Sequence, residues 1–489
     1  MNIENRSAYR QVLKATSLFG GAQIFIILIG LVRSKIIALY LGADGFGVTS
    51  LLNTPLQLIA TITGLGISFS AVREIAIAYE QREQERLDRI YSVFYKWLWV
   101  TGILGTLLVI MISPILSYWS FGNLTYTYAF LILSPTLLLL AFSNGQSAYL
   151  RGTRRLVDSA QSSVLGPLMG LILSLPLFIY LGMSAIIPAL FLTAITTLFA
   201  SWIFFRKARP NVVHMPLKTI FLEGMGMVKL GVVMTITGLI TQLVSYIIII
   251  LVSSKGGTKE VGLYNAGYSI TTQYVGIIFS AILVDYFPRL SAINKDNLKV
   301  REVVNQQSEI TILLLVPLLL VFVILLPFII QLLFTKEFVG IMSFVRLMAF
   351  GMFFRAISWG IAFVPSAKGD NKLFLILEFV GAIVNLLFSY IGYILYGLEG
   401  LGGSFILFYI FYWLLLYIVA YVKYGYMMSF SYLKIVVVQL LLLVVGSILI
   451  FLNYTSFVLV FIIFVASLSF SFYELNKRID FKHLFNRKK

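Results

Sequence analysis

Apolar runs follow one another along this chain, parted by short polar breaks. The runs are long enough for an α-helix to cross hydrocarbon, which takes about 18 or more consecutive apolar residues. Fourteen spans are predicted, near 18–41, 48–72, 93–117, 128–149, 161–181, 184–205, 228–252, 262–287, 308–333, 341–366, 373–396, 399–422, 432–452 and 456–473. The runs are continuous rather than alternating with period two, so helices are expected and a β-barrel is not. The longest polar stretches, 79–92, 206–227 and 288–307, leave no room for a sizeable soluble domain. Short connections imply that neighbouring helices are mostly antiparallel hairpins. The first run is too long, and has too many successors, to be a cleaved signal peptide.

Composition agrees with this pattern. The 489 residues are 60% hydrophobic and 12% charged, too few polar groups to cover a soluble domain of this length. The expected fold is an all-α polytopic membrane protein. Cysteine is absent, which excludes disulfides, thiol catalysis and cysteine metal sites. The two histidines, His214 and His483, lie on polar segments, so no histidine metal cluster is expected. No GxxxxGK[ST] loop is present, so ATP hydrolysis within the chain is not expected, nor is any cofactor.

The net charge of +17 reads as a topology signal. Lys and Arg gather in the N-terminal tail (Arg6, Arg10, Lys14) and in alternate loops: Arg82, Arg86 and Arg89; Arg151, Arg154 and Arg155; Arg206, Lys207 and Arg209; Arg289, Lys295, Lys299 and Arg301. The C-terminal tail adds Lys477, Arg478, Lys482, Arg487, Lys488 and Lys489, whereas the opposite side carries Lys255, Lys259 and Lys336. Both termini are expected in the cytoplasm, which suits an even number of spans. A basic tail beside anionic headgroups, rather than nucleic acid, accounts for the charge.

A faint repeat is present. Shifting the chain by 215 residues lays Gly42 on Gly257 and Gly47 on Gly262, each pair in the outer turn of a long hairpin six spans apart. An even offset keeps both halves in one orientation, related by a pseudo-twofold axis along the membrane normal. The expected organisation is a six-helix lobe at 1–205, a cytoplasmic linker at 206–227, a second six-helix lobe at 228–422, and two further helices with a basic tail at 423–489.

Six cations fall within or at the ends of spans: Arg33, Lys35, Arg73, Lys229, Arg346 and Arg355. A Lys or Arg at a helix centre costs roughly 2.5–3.5 kcal/mol on insertion scales, so it usually faces water, a carboxylate or a bound anion. Arg73 and Lys229 lie near cytoplasmic ends, and Arg346 near an outer end, so each can also snorkel. Lys35 is deeper, about 10 Å below Gly42 at 1.5 Å per residue. Arg33 and Arg355 reach water least easily. Arg33 and Lys35 are two residues apart and point roughly 200° apart; Arg346 and Arg355, nine apart, also take opposite faces. Arg33 and Arg355 are therefore the favoured pair facing an aqueous interior. In the repeat register Arg33 falls on Ile248 and Lys35 on Ile250, so the fold does not require charge there. Acidic groups at depth are fewer. Glu74, Asp285 and Glu309 lie near ends; Glu378, five residues into its span, is read either as an ion-pair partner for Arg355 or as a proton-coupling group. Gly64, Gly66 and Pro55 interrupt the second span, for bending or for close packing. Gln57, Asn144, Gln146, Gln242 and Gln273 suit either sugar hydroxyls or helix–helix hydrogen bonds.

The segment ATSLFGGAQIFIILIGLVRSKIIALYLGADGFGVTSLL, with a small-residue start, a mid-helix RSK and LG-x₂-G-x-G closing the first span, resembles the start of bacterial polysaccharide flippases. These are the Wzx-like O-antigen translocases of the multidrug/oligosaccharidyl-lipid/polysaccharide exporter superfamily. VGLYNAGYSI at 261–270 resembles the matching hairpin of that superfamily's second half. The resemblance implies two six-helix lobes around a central cavity plus two extra helices in the bacterial inner membrane. It implies passage of an undecaprenyl-pyrophosphate-linked oligosaccharide, with membrane lipids and polysaccharide assembly proteins as partners. Arg33 and Lys35 match its first-helix motif; Arg355 rests on depth alone. The rivals are a multidrug or cation antiporter of the same superfamily, a membrane-embedded glycan polymerase or glycosyltransferase, and an uncoupled lipid scramblase.

Overall fold

The computed structural model describes the backbone of residues 3–208, 210–451 and 457–478. Side chains are described within those stretches from residue 21 onward, except 273–275, 277, 280, 281, 283, 284 and 450–458. The side chains of Arg6, Arg10, Lys14, Arg209, Gln273, Lys482, His483 and Arg487 to Lys489 lie outside the described residues. Every regular element among the described residues is helical. In chain order they are α1 (Ile3–Gly64), α2 (Ile67–Glu80), α3 (Gln84–Phe121), α4 (Thr127–Leu133), α5 (Pro135–Gly152), α6 (Leu156–Leu181), α7 (Ile186–Phe205), α8 (Leu217–Ala292), α9 (Asn297–Leu333), α10 (Met342–Ala362), α11 (Val364–Ala367), α12 (Asn371–Tyr424), α13 (Phe430–Phe451) and α14 (Phe457–Arg478).

Among the described residues ten helical stretches are long and apolar enough to cross a membrane. Four of these, 44 to 56 residues long, exceed one bilayer thickness by a factor of about two. Each turns at a glycine with positive φ: Gly42, Gly182, Gly257 and Gly397. Counting both arms of each gives fourteen crossings, and the protein is a polytopic all-α membrane protein. L-residues avoid positive φ, so only glycine turns the chain this tightly without strain.

The chain packs as two compact units. One comprises residues up to Leu263 together with Leu333–Glu337; the other comprises Tyr264–Leu332 and residues from Phe338 onward. In the first unit, Ile75, Phe94, Leu98, Ala148 and Phe205 bury against one another where α2, α3, α5 and α7 meet. In the second, Tyr286, Val304, Ile361, Leu416 and Tyr426 do the same. There α12 folds back on itself at Gly397, and Gly392 and Gly400 bring its two arms to backbone contact; a Cβ on Gly400 would lie 1.8 Å from the Gly392 carbonyl.

Helices extend further than hydropathy suggests. Residues 84–92 and 297–307 are helical although they lie in polar stretches, and α8 begins at Leu217, inside the expected 206–227 linker. The reason is amphipathy. In α8, Ile220, Gly224, Met227 and Gly231 recur on the buried face at i, i+4, i+7 and i+11, while the other side stays exposed. Pro216 starts this helix, its carbonyl accepting from Thr219 and Ile220.

The two glycine turns of the 215-residue register share one conformation. Gly42 has φ 67 and ψ −164; Gly257 has φ 70 and ψ −171. Both lie in the first unit and meet reciprocally. A Cβ on Gly47 would fall 1.8 Å from the Thr258 carbonyl, and one on Gly262 would fall 1.9 Å from the Ala43 carbonyl. Residues 43 and 258 are themselves register mates, so this is a local twofold contact of backbone on backbone. The break expected at TGLGIS is also present. Leu65 and Gly66 take positive φ between α1 and α2, and Gly66 packs against Gly231 of α8, where a Cβ would lie 2.2 Å from the Gly231 carbonyl. Bend and close packing coincide at Gly66, whereas Gly64 has open space around it.

Candidate functional site

In the first unit, Arg33 lies nine residues before the Gly42 turn on the first arm of α1, half-buried, and makes no hydrogen bond or ion pair with another described residue. Lys35, on the other side of the helix, is engaged: its Nζ donates to the Phe334 carbonyl at 2.8 Å. Two turns on, at the Gly42 break, the Ala43 N–H donates to Glu337 Oε2 at 3.1 Å. A carboxylate at the start of the second arm sits where the helix dipole favours negative charge. Segment 333–337 is thus tied to α1 at two points. The RSK motif separates into one engaged cation and one without a protein partner among the described residues, on opposite faces as the 200° offset requires. Arg73 and Lys229 are exposed.

In the second unit, Arg355 is half-buried among rings. Its guanidinium carbon lies 5.3 Å from the centre of Phe279 and 5.8 Å from that of Tyr409. Each such contact gives about 0.5–2 kcal/mol, the more where water is excluded. Nη1 also approaches Met352 Sδ at 3.8 Å. Glu378 does not form the ion pair considered for it with Arg355. Its carboxylate accepts from the Tyr412 hydroxyl at 2.7 Å. The two charges are joined through aromatic side chains instead: Tyr409 touches Phe408 at 4.8 Å between centroids, and Phe408 stacks on Tyr412 at 5.6 Å. Arg346, on the opposite face of α10, is half-buried.

The aromatic setting of Arg355 is not legible in the sequence. Tyr409 and Tyr412 are spaced three apart on α12, a visible signal, but their pairing with α10 is a long-range contact that no periodicity reports. Among the polar candidates, Gln146 accepts from Ser201 at 2.5 Å and ties α5 to α7. Gln57 and Asn144 are exposed, and Gln242 keeps a buried Oε1 with no hydrogen-bond partner. Two polar networks join helices through residues outside those candidates. Arg478 donates to Glu309 at 2.7 Å, to Glu474 at 2.5 Å and to Ser431 at 2.6 Å, joining α9, α13 and α14. Gln439 of α13 donates to Ser471 at 2.8 Å and accepts from Ser467 at 2.7 Å, both on α14. Among the described residues no group of three His, Cys, Asp or Glu could hold a metal ion.

Fourteen crossings turned at glycines, with Arg33 and Arg355 inside apolar spans and without a carboxylate partner among the described residues, make up this fold, and solved structures share it. Lipid II flippase MurJ in an inward closed conformation superposes with a TM-score of 0.70 at 15% identity, covering 94% of this chain and 99% of that one. An inward-facing multidrug resistance MATE family transporter of the MOP superfamily superposes at 0.68 with 16% identity, covering 82% and 94%. These likenesses show the fold. Residues 36–343 match the family described as polysaccharide biosynthesis protein, and the chain belongs to that family. It is also similar to the lipid III flippase of Escherichia coli K12, 23% identical over 280 residues. That match takes in 56% of this chain and 66% of the flippase, just under two thirds of the relative's length.

Proposed function

We propose that this protein is a flippase that carries an undecaprenyl-pyrophosphate-linked oligosaccharide repeat unit across the bacterial inner membrane, from the cytoplasmic to the periplasmic leaflet. A pyrophosphate and a hydrated glycan cannot cross hydrocarbon unaided. The observation that supports this reading best is the state of Arg33 and Arg355: each keeps a guanidinium at membrane depth, and neither has a carboxylate partner among the described residues. Arginine stays charged and matches phosphate oxygens in bidentate geometry. The cost of holding it in hydrocarbon falls when an anion arrives. In the scheme we propose, Arg33 and Arg355 face a cationic cavity and hold the head group while access alternates between the two sides. Lys35 adds field from its seat on Phe334, and Arg346, Arg73 and Lys229 guide the anion at the ends of the spans. Family membership and the likeness to a lipid III flippase favour lipid-linked glycan over a drug or metal cation as cargo. The scarcity of carboxylates at depth argues against a cation antiporter. In this reading the charge bias puts both termini in the cytoplasm, and polysaccharide assembly proteins are the natural neighbours of such a carrier.

The test is surface-polymer assembly in cells whose only copy carries Arg33→Gln, Lys35→Gln or Arg355→Gln, with membrane insertion checked by immunoblot. Loss of two or three bidentate hydrogen bonds to phosphate, each about 1.5–3 kcal/mol, predicts at least a tenfold fall for Arg33→Gln and Arg355→Gln. Arg33→Lys and Arg355→Lys, which keep the charge but lose the bidentate fork, should retain part of the activity. Wild-type assembly with both glutamine variants would remove the site.

A further inference from the structure

We infer that the first unit carries a binding site for an anionic phospholipid on the basic side of the membrane, between α3 and the start of α8, apart from the cargo site. A hollow of about 310 Å³ lies there, with Lys96 at its rim and Trp99, Val100, Ile103, Leu217 and Phe221 among its walls. Its floor is fixed. Trp97 donates its indole N–H to the Ile220 carbonyl at 3.2 Å, and its ring meets Phe221 at 5.2 Å between centroids. Gly224 lets α8 lie directly on that indole; a Cβ there would come 1.7 Å from Trp97 Nε1.

The walls read as a lipid seat rather than a cut through the core. Trp99, Val100 and Ile103 are 41%, 38% and 44% exposed, Trp99 keeping a T-shaped contact with Phe142 at 4.9 Å between centroids. Lys96 to Ile103 is seven residues, about 10 Å along the helix, the drop from headgroup level into the acyl layer. Lys96 is exposed yet lies within an apolar span, so its ammonium must rise to the phosphate level while its stem lies on apolar surface. The start of α8 repeats the pattern. Lys218 is exposed beside Leu217, Phe221 and Leu222, an apolar helix edge studded with a cation. Two lysines without a carboxylate partner among the described residues favour a headgroup of net negative charge over a zwitterion, whose own cation competes for the phosphate. The nearest acid on this turn, Glu223, is taken by Arg89. Aromatic rings at the same level are the usual companions of an interface site.

The measurement is lipid retention by native mass spectrometry of the purified full chain, titrated with phosphatidylglycerol or phosphatidylcholine of identical tails. Wild-type protein should retain phosphatidylglycerol preferentially. At about 1 kcal/mol per cation near a surface, Lys96→Gln or Lys218→Gln should weaken that binding about fivefold and the double variant about thirtyfold. Phosphatidylcholine binding should not change, the arginine double variant should restore phosphatidylglycerol, and Lys372→Gln, exposed on the second unit, should have no effect. Thermal melting confirms that each variant is folded. Equal retention of the two lipids by the wild type, undiminished phosphatidylglycerol binding in the double variant, or an equal loss with Lys372→Gln would each overturn the site.

Discussion

Replacing Gly47 with alanine puts a methyl where the first unit has only backbone. The new Cβ would fall 1.8 Å from the Thr258 carbonyl, and the mirror change at Gly262 would place one 1.9 Å from the Ala43 carbonyl. Ordinary contact needs at least 3.4 Å, and the opposing atoms are main chain, so no side chain can turn aside. The second arm of α1 and the turn of α8 must part by about 1.5 Å, the kind of overpacking that costs about 1–3 kcal/mol. Alanine recovers up to about 1 kcal/mol of helix propensity. From the middle of those ranges the net loss is about 1–1.5 kcal/mol for either variant, or a melting temperature about 2–6 °C lower for a unit of this size. Because both methyls push the same two segments apart, the second finds the gap opened by the first. The double variant should therefore lose little more than one single, a coupling of about 1 kcal/mol. Melting of the three purified variants in detergent, followed by size-exclusion recovery, measures the cycle. Gly64→Ala, with open space around its Cβ, is the control and should not lower the melting temperature. Strictly additive losses, or single variants that melt with the wild type, would refute the reciprocal contact.

Four further outcomes follow from other contacts. Gly224→Ala should destabilise by about 1–3 kcal/mol by driving a methyl into Trp97, and Trp97→Leu in the same chain should recover part of the loss in the same melting assay. Arg478→Leu leaves Glu309, 6% exposed, without its cation and Glu474, 4% exposed, with Lys434 alone, and should cost about 3–5 kcal/mol; earlier proteolysis at α14 is the readout, and Arg478→Lys should be milder. Tyr409→Leu should impair surface-polymer assembly less than Arg355→Gln, since it removes one cation–π face and leaves the charge; loss equal to that of the arginine variant would show the ring to be essential in its own right. Asp370 accepts from Lys423 and Tyr424, which hold its carboxyl below the ordinary carboxylate value. Its contribution is fully present above the unfolded-state pKa and fades as pH falls through the lower folded one. The stability gap between wild type and Asp370→Asn should therefore shrink on titration from about pH 6 to about pH 3.

Some residues announced their part in the sequence and others did not. Gly42 and Gly257 were legible because a turn inside a long apolar run needs positive φ, and glycine is the residue that supplies it. Gly66 was legible as a break, but its pressing on Gly231 was not, since that contact joins distant segments. The span ends were less legible. Helix 217–227 reads as linker in the sequence because its polar residues hide a face, Ile220 included, whose apolar partners, Trp97 among them, come from tertiary packing. Arg33 and Lys35 could be assigned to opposite faces by geometry alone. Which of them would find a partner could not, because Phe334 lies 299 residues further along the chain from Lys35. Lys96 escaped notice beside deeper cations, and only the hollow at its side gives it a part.

The bilayer makes the first kind of information strong. Each crossing must satisfy its own backbone hydrogen bonds, so run length and hydropathy dictate helices, their number and their glycine turns with little help from the rest of the chain. Their assembly has no such local rule. In hydrocarbon there is little hydrophobic drive between helices, and the outcome rests on close backbone approach and a few polar contacts. Gly47 on Gly262, Arg478 on Glu309 and Arg355 between Phe279 and Tyr409 are meetings of residues far apart in the chain, and they exist only once the helices are packed.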